Sequence, residues 1–510
     1  MSALSSSDLI GVVGAGAMGA GIAQVAAAAG HPVLIHDTRP LAADKAIETI
    51  RANLAKQVEK GRMTAAAYEA AASSMKAVTD LSSFKASALV IEAVVEDLDV
   101  KKRLFSDLES IVANDAILAT NTSSISVTAI GSALKHAGRL VGMHFFNPAP
   151  VMQLVEVVSG VATEMAIAER IYDTARAWGK KPVHTRSTPG FIVNRVARPF
   201  YAEGLRLLQE GVADCATIDA LMREAGGFRM GPFELMDMIG HDVNYAVTRS
   251  VFDGYYGDPR FSPSLLQLER VQAGFLGRKS GRGFYDYGAN AVPPRARTEA
   301  PVALSIAPAI WSGTVLGAAL AGRLHARGLT SIERRGAEDG VVAAIGETTI
   351  YLSDGRTATA RAAATGNPNV VVVDLVFDPA TATRIAAAPA EQCSDAAWRD
   401  AVGLLQASGL SVSRLRDSPG LAVMRTVAML ANEACDAVHQ QVCSPADVDL
   451  AMRAGVAYPA GPLEWADRLG ASTVLAILDN LAKHYGEPRY RASPRLRQSS
   501  QSGKGLHEPA

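Results

Sequence analysis

Short apolar segments alternate with helical patterns along the first third of the chain. Five apolar runs have the length and composition of buried strands: 8–13, 32–35, 88–94, 116–121 and 139–144. Helical patterns occupy 17–29, a longer stretch over 41–72, and 100–112. Strands that alternate with helices predict an α/β domain with a doubly wound, parallel sheet.

A glycine-rich turn joins the first strand to the first helix. It comprises Gly14, Gly16, Ala17, Met18 and Gly19. Strand, glycine turn and helix together predict a Rossmann-type site for a dinucleotide, with the pyrophosphate at the helix N-terminus. Asp37 ends the second strand, where a carboxylate would accept hydrogen bonds from the adenosine ribose and repel a 2′-phosphate. The pattern favours NAD over NADP, although the nearby Arg39 weakens that preference.

The segment HFFNPAPVMQLVEVV carries the strongest candidate chemistry. His144 follows an apolar strand, and Glu156 lies in a second strand-like run, 153–158. A histidine with a carboxylate partner suits proton abstraction from an alcohol during hydride transfer. Taken alone, a histidine at a strand end is more often structural, so the pattern leaves both interpretations open.

Six ordered motifs resemble the 3-hydroxyacyl-CoA dehydrogenase family. They are GVVGAGAMGAGIA, IEAVVEDLDVKKRLF, NTSS, HFFNPAPVMQLVEVV, TPGFIVNR and MGPFELMD, within residues 10–240. The resemblance implies that His144 and Glu156 form the catalytic pair, and that Ser123 and Asn194 hydrogen-bond the reacting oxygen. It further implies that Glu96 and Lys101 touch the ribose and nicotinamide half of NAD, and that Asn147, beside the active site, also binds the cofactor. The expected reaction is oxidation of a (3S)-hydroxyacyl-CoA thioester.

The acyl-CoA substrate has weaker signals. Lys56 and Lys60, on the stretch 41–72, either contact the CoA phosphates or lie on a solvated face. The segment around MGPFELMD is similar to the family subgroup that oxidises 3-hydroxyadipyl-CoA in bacterial phenylacetate breakdown. A distal carboxylate needs a cation, for which Arg229 is the first candidate and Arg198 the second. Alternatively, Arg229 pairs with an acidic neighbour such as Glu224.

Two other functions stay open. A 3-hydroxybutyryl-CoA dehydrogenase would need no such cation, and a non-catalytic NAD- or CoA-binding protein would need no intact catalytic pair.

The second half repeats part of the first at a constant offset of 230 residues (419 − 189 and 461 − 231), which we term the repeat register. Pro189-Gly190 matches Pro419-Gly420, and Gly231-Pro232 matches Gly461-Pro462. The repeat register predicts a duplicated, all-α helical domain, preceded in its second copy by a degenerate α/β segment without a GxGxxG turn or a matching His–Glu pair.

The predicted divisions are an NAD-binding domain (1–188), a first helical copy (189–288), a linker (289–302), the degenerate segment (303–416), a second helical copy (417–492) and a disordered tail (493–510). The repeat therefore predicts one active site per chain. For the assembly we expect either an internal pseudo-dimer, in which the second copy docks on the first, or a homodimer.

Charge and composition exclude several classes of protein. Lys and Arg total 50 against 51 for Asp and Glu, so the charge balance gives no reason to expect binding to nucleic acid or to anionic membranes. Four cysteines without a CxxC pair indicate reduced thiols and a cytoplasmic location, and no metal site is expected. No apolar run has the length of a membrane span.

Overall fold

The computed structural model describes residues 2–304, 306–329, 333–336 and 340–508. The chain divides into two compact units. Unit 1 contains residues 1–195 together with 440–456, and unit 2 contains 196–439 together with 457–510. The first unit therefore includes a segment from far along the sequence.

The described part of the first half contains eight strands and twelve helices. Strands β1–β8 are Ile10–Val13, Val33–His36, Met75–Val78, Leu89–Glu92, Ile117–Thr120, Leu140–Phe145, Leu154–Ser159 and Lys181–Arg186. Helices α1–α12 are Ala17–Ala28, Ala42–Glu59, Ala65–Ser73, Leu98–Ile111, Val127–Gly131, Met165–Ala177, Val193–Val196, Arg198–Gln209, Cys215–Glu224, Pro232–Ile239, His241–Gly254 and Leu265–Gln272.

The described part of the second half adds seven strands and eight helices. Strands β9–β15 are Ala309–Trp311, Glu333–Arg335, Val341–Ile345, Thr348–Leu352, Val370–Val373, Arg384–Pro389 and Ser411–Arg414. Helices α13–α20 are Val315–Ala326, Ala358–Thr365, Asp395–Ala407, Val423–His439, Pro445–Val456, Pro462–Leu469, Ala471–Tyr485 and Pro494–Ser502.

The eight strands of unit 1 form one sheet in the order β3-β2-β1-β4-β5-β6-β7-β8. The order reverses between β1 and β4, which is where a doubly wound sheet binds its ligand. The α/β fold predicted from the sequence is confirmed. One pair departs from the parallel pattern: β6 and β7 run antiparallel, and His144 lies opposite Glu156 in their register.

The central strands of the unit 1 sheet are buried because they are apolar. Residues of β1, β4 and β5 are fully buried, and they pack against α1 and α6 on one face and against α4 on the other. Strands covered on both faces read as continuous apolar runs, which is why these three are visible in the sequence. This rigid core carries the glycine turn and the His–Glu pair.

Unit 2 contains a seven-stranded sheet in the order β10-β9-β11-β12-β13-β14-β15. Three of its elements keep the repeat register: β14 matches β7, α15 matches α6, and β15 begins at the equivalent of the first residue of β8. Here β13 and β14 pair antiparallel, as β6 and β7 do. The repeat therefore extends beyond the helical copies into the second sheet, as the sequence predicted.

The two copies exchange one helix each. Helix α17, from the second copy, packs against β7 and β8 within unit 1, and α9, from the first copy, packs against β14 within unit 2. Matching backbone hydrogen bonds accompany the exchange: Arg186 N donates to Val442 O, and Arg416 N donates to Val212 O. In the repeat register Arg416 is equivalent to Arg186 and Val442 to Val212, so the exchange is reciprocal.

Within unit 2, buried ion pairs connect α16 to α8 and to the turn that contains Arg260. Arg425 on α16 donates from Nε to Glu203 on α8 at 2.6 Å, and both side chains are fully buried. Glu433, the repeat equivalent of Glu203, accepts from Arg260 at 2.9 Å. Charges this deeply buried require such pairing, since an unpaired one would be strongly destabilising.

Two expectations need correction. The helical stretch over 41–72 is two helices, α2 and α3, separated by a turn in which Gly61 has a φ of 66°. The prediction of a disordered tail is wrong up to residue 508, because α20 buries Leu496 and the following turn buries Leu506. Residues 509 and 510 lie outside the described residues.

Among the helices of the described residues, none has both the length and the apolar content that a bilayer crossing requires.

Candidate active site

The glycine turn leaves open space at the start of α1. Gly14 has a φ of 103°, and a Cβ there would overlap the carbonyl oxygen of Ala93. A Cβ on Gly19 would overlap the Gly14 oxygen, so helix and turn touch through backbone alone. Gly16 precedes the helix and has nothing within 4 Å of its Cβ position. The amides at this helix N-terminus have no side-chain cap, which suits a diphosphate.

Asp37 follows β2 beside this turn. Its Oδ2 accepts the Ala15 amide at 2.7 Å, and both carboxylate oxygens accept from the Arg39 guanidinium. The hydrogen bond with Arg39 holds the pKa of Asp37 well below its usual value, so the carboxylate is charged at neutral pH. A charged acceptor at this position fits a ribose diol and disfavours a 2′-phosphate. The turn and Asp37 together fit NAD.

His144 and Glu156 form a buried pair in the middle of unit 1. Nδ1 of His144 lies 2.7 Å from Oε2 of Glu156, and both side chains are buried. The antiparallel register of β6 and β7 sets this distance, since direct partners on paired strands project their side chains side by side. The carboxylate accepts the Nδ1 proton, which leaves Nε2 as the proton acceptor of the ring.

The second oxygen of Glu156 orients the segment that carries Asn194. Oε1 accepts the backbone amides of Ile192 and Val193, each at 3.0 Å. Asn194 is the next residue, in the short helix α7. One carboxylate therefore joins the histidine to the start of the asparagine helix, and any shift of β7 would affect both.

A chain of hydrogen-bonded polar groups holds the loop that carries Ser123. Oε1 of Glu96 accepts the hydroxyl of Thr122 at 2.7 Å, and the amide and hydroxyl of Ser123 at 2.9 and 3.3 Å. Lys101 lies between Glu92, at 2.6 Å, and Glu96, at 3.3 Å. Burial raises the pKa of Glu96, but the charge of Lys101 and these hydrogen bonds together lower it by more. The pKa of Glu96 is therefore below its usual value.

Sequence reasoning did not find Glu92, which is the centre of that chain. Its carboxylate is fully buried and accepts from Lys101, from the Thr120 hydroxyl at 2.6 Å, and from the Val94 amide at 2.7 Å. The signal was present in the sequence as a lone carboxylate at the end of an apolar strand. Lys101, predicted to contact the cofactor, has 1% of its surface exposed and holds Glu96 in place.

Asn121 and Lys180 were also missed, and both hold backbone near His144. Oδ1 of Asn121 accepts the Phe145 amide at 2.8 Å, which joins the Ser123 loop to β6. Lys180 is buried and donates to the carbonyls of Ala149 and Met152, at 2.5 and 2.9 Å. Those carbonyls lie in the connection between β6 and β7, which begins beside the exposed Asn147.

Three residues predicted to bind the substrate make no described contact with the residues around His144 and Glu156. Lys56 and Lys60 are exposed at the C-terminal end of α2. Arg229 is exposed in unit 2, between α9 and α10. Glu224, its suggested partner, accepts from Nε of Arg384 at 3.0 Å.

The residues that the structure describes include no cluster of His, Cys, Asp and Glu side chains suited to a metal ion.

A Rossmann-type sheet with an open glycine turn and a buried His–Glu pair defines a dinucleotide-dependent oxidoreductase. Comparison with known families agrees. Residues 9–188 match the family model "3-hydroxyacyl-CoA dehydrogenase, NAD binding domain", and the model of the family's C-terminal domain matches twice, at 190–287 and 420–506. Residues 350–419 match "3-hydroxybutyryl-CoA dehydrogenase reduced Rossmann-fold domain". The chain belongs to the 3-hydroxyacyl-CoA dehydrogenase family, and its cofactor is NAD.

Several relatives are similar over the whole chain or its first half. The 3-hydroxyadipyl-CoA dehydrogenase of Escherichia coli (strain K12) is 45% identical over 96% of each chain. A crystal structure of 3-hydroxybutyryl-CoA dehydrogenase from Escherichia coli K12 is 44% identical, covers 98% of this chain and 99% of its own, and has a TM-score of 0.89. The (S)-3-hydroxybutyryl-CoA dehydrogenase of Ralstonia eutropha is 38% identical, with a TM-score of 0.54, over 55% of this chain and 99% of its own.

Proposed function

We propose that this chain oxidises the 3-hydroxyl of a (3S)-hydroxyacyl-CoA to the 3-oxo thioester, with NAD as the oxidant. The observation that carries the proposal is the 2.7 Å contact between Nδ1 of His144 and Oε2 of Glu156. It sits in a domain whose glycine turn fits NAD and whose family consists of such dehydrogenases.

In the forward reaction, Nε2 of His144 takes the proton of the substrate hydroxyl. The C3–H bond breaks with its electron pair while the C3–O double bond forms; when bound, NAD supplies the acceptor for that hydride. Glu156 stabilises the imidazolium that results, because its buried carboxylate already accepts the Nδ1 proton. In the reverse direction, His144 returns the proton.

Ser123 and Asn194 are the proposed donors to the reacting oxygen. In the reduction direction negative charge develops on that oxygen, so fixed donors lower the barrier. Glu96 holds the Ser123 loop, and Glu156 holds the backbone just before Asn194. Both donors thus depend on carboxylates, the exposed Glu96 and the buried Glu156.

Three further contacts remain proposals. Asn147 is a proposed contact on the nicotinamide side, and Lys56 and Lys60 are proposed contacts for CoA phosphates.

For the acyl group we propose 3-hydroxyadipyl-CoA, with 3-hydroxybutyryl-CoA as the alternative. Relatives similar over the full chain carry both names, so the substrate must be decided by measurement. Arg229 is the first candidate for the cation that meets the distal carboxylate, because it is exposed and therefore accessible to a ligand. Arg198 is the second candidate; it is buried, donates to Thr248 at 3.0 Å and lies over the Tyr201 ring.

The test compares kcat/KM for (3S)-hydroxyadipyl-CoA and (3S)-hydroxybutyryl-CoA in the wild type and in Arg229→Ala. A preference for the adipyl thioester that Arg229→Ala abolishes supports both the substrate and its anchor. A butyryl preference discards the adipyl proposal and keeps the dehydrogenase.

The alternative of a non-catalytic binding protein is tested with the same substrates. His144→Gln should lower kcat by several orders of magnitude and leave the Kd for NAD unchanged. A wild type that binds NAD but oxidises neither thioester would favour the non-catalytic alternative. The cytoplasmic location and the possible homodimer remain predictions, as does a role in phenylacetate breakdown.

A further inference from the structure

A helix from the second copy forms part of the unit that contains His144 and Glu156. Residues 440–456 belong to unit 1, and α17 packs against β7 and β8. Strand β8 is the last strand of the sheet, so its outer edge is available for such a contact. Arg186, at its end, donates its amide to Val442 O at 2.9 Å and its guanidinium to Gln441 Oε1 at 3.2 Å. The segment 440–456 is thereby fixed to the edge of the catalytic sheet.

One glycine of α17 lies against both segments that set the catalytic geometry. A Cβ on Gly455 would lie 2.6 Å from Cδ2 of Leu154 and 3.2 Å from Cγ2 of Val193. Leu154 begins β7, just before Glu156, and Val193 donates its amide to that carboxylate. Both side chains are buried, so neither can move into solvent. A single position, far along the chain from Glu156, therefore packs tightly against side chains of both β7 and the segment before Asn194.

We propose that α17 is a positioning element for the reaction, which rests on the proposed dehydrogenase function. By packing on Leu154 and Val193, it keeps Glu156 directed at His144 and keeps the start of α7 in place for Asn194. None of its residues touches the reacting atoms. The second copy, which lacks a His–Glu pair of its own, thus contributes to catalysis in the first. Displacements of about 1 Å at a catalytic group can cost roughly a hundredfold in rate.

Ordinary core packing is the competing explanation, and the repeat provides its matched control. Ala225 is the repeat equivalent of Gly455 and lies just after α9, the helix that packs against β14 in unit 2. It is buried, and its carbonyl accepts the Phe377 amide. A larger side chain at Ala225 disturbs an equivalent packing site next to a sheet without a His–Glu pair.

The experiment compares Gly455→Val with Ala225→Val in the full-length protein. The measured quantities are the melting temperature, the Kd for NAD, and kcat and KM for the thioester that the wild type oxidises best. Gly455→Val should lower kcat by about 10- to 100-fold while the Kd for NAD stays within about twofold. Ala225→Val should lower the melting temperature by a similar amount and leave kcat within about twofold. Gly455→Ala, a smaller change, gives the same comparison if the valine variant does not fold.

A second-site change separates positioning from general destabilisation. Adding Leu154→Ala to Gly455→Val removes the clashing Cδ2 and should recover most of the lost kcat, even though it enlarges a cavity and lowers stability further. Unchanged kcat in the folded Gly455 variants would overturn the proposal, as would an equal loss in Ala225→Val. A wild type without dehydrogenase activity would instead defeat the proposed function, which the first assay decides separately.

Discussion

Asp374 is the repeat equivalent of His144, yet its carboxylate does the structural work of Glu156. Its oxygens accept the amides of Ala422, Val423 and Met424, at 2.9, 2.7 and 2.9 Å. In the first copy, Glu156 accepts the two amides equivalent to the first two of these, at Ile192 and Val193. The second copy therefore keeps a carboxylate that orients the following helix and has lost the histidine. Ala386 stands where Glu156 would be.

The buried Asp374 predicts a pH-dependent contribution to stability. Burial raises its pKa from 3.8 to about 6. Because the folded-state pKa is above the unfolded one, the stability it contributes is full below about pH 4 and is lost as pH rises through about 6. The change corresponds to about 3 kcal/mol.

Asp374→Asn, neutral at every pH, isolates this contribution. The variant loses acceptor capacity and should be less stable than the wild type at pH 4, and this difference in stability should shrink between pH 4 and pH 7. Urea unfolding of both proteins across that range measures the difference. An advantage that stays constant or grows with pH would contradict the raised pKa.

Two glycines of the turn predict opposite phenotypes. Gly19→Ala should destabilise unit 1 by about 2 kcal/mol or more, because its Cβ would overlap the Gly14 oxygen. Gly16→Ala should fold normally, since nothing lies within 4 Å of its Cβ, but it should weaken NAD binding by at least about tenfold, or about 1.4 kcal/mol. Melting temperatures and NAD titrations distinguish the two. Normal NAD affinity in Gly16→Ala would mean that the diphosphate does not occupy this space.

Glu156→Gln should lower kcat by about 10²- to 10⁴-fold. In Glu156, one oxygen accepts from Nδ1 of His144 and the other from two backbone amides. Glutamine replaces one of these oxygens with an NH2 group, which donates, so one of the two sets of hydrogen bonds is lost. Glu169→Gln is the matched control, since Glu169 pairs with His184 at 3.5 Å on the surface. Steady-state assays of both variants should show a loss only for the first, and a comparable loss in the control would remove the special role of Glu156.

Lys180 should support catalysis through the connection between β6 and β7. Lys180→Met removes the donors to the Ala149 and Met152 carbonyls, so we expect kcat/KM to fall by about tenfold, with a lower melting temperature. Lys181→Met alters the exposed neighbour and should change neither quantity. Full activity in a destabilised Lys180→Met would show that the connection keeps its catalytic shape without the lysine.

The buried strands and the glycine turn were predictable because each depends on local pattern, whereas the His–Glu pair was expected from the family resemblance. Strand β3 was not predicted, because only Met75 is buried in it, and neither was β8, which begins and ends with an exposed, charged residue. The antiparallel pairing of β7 with β6 has no sequence signature either. It follows from how the sheet closes, and it is what brings Glu156 within hydrogen-bond distance of His144.

The ordered C-terminus had a signal that the repeat register concealed. Asp237 accepts the amides of Phe284 and Tyr285, in the segment GRGFY. Asp467, its equivalent, accepts the Leu506 amide and contacts His507, in GKGLH. The repeat register would carry the start of GRGFY past the end of the chain, so a strict register misses the second segment.

The helix exchange also sets the time at which the catalytic domain can be completed on the ribosome. Unit 1 has most of its residues once the chain has reached position 195, but its last segment ends only at position 456. At synthesis rates of about 5–20 residues per second, that interval is on the order of tens of seconds. Throughout that interval β7 and β8 lack the packing of α17, and the Arg186 amide lacks its backbone partner, Val442.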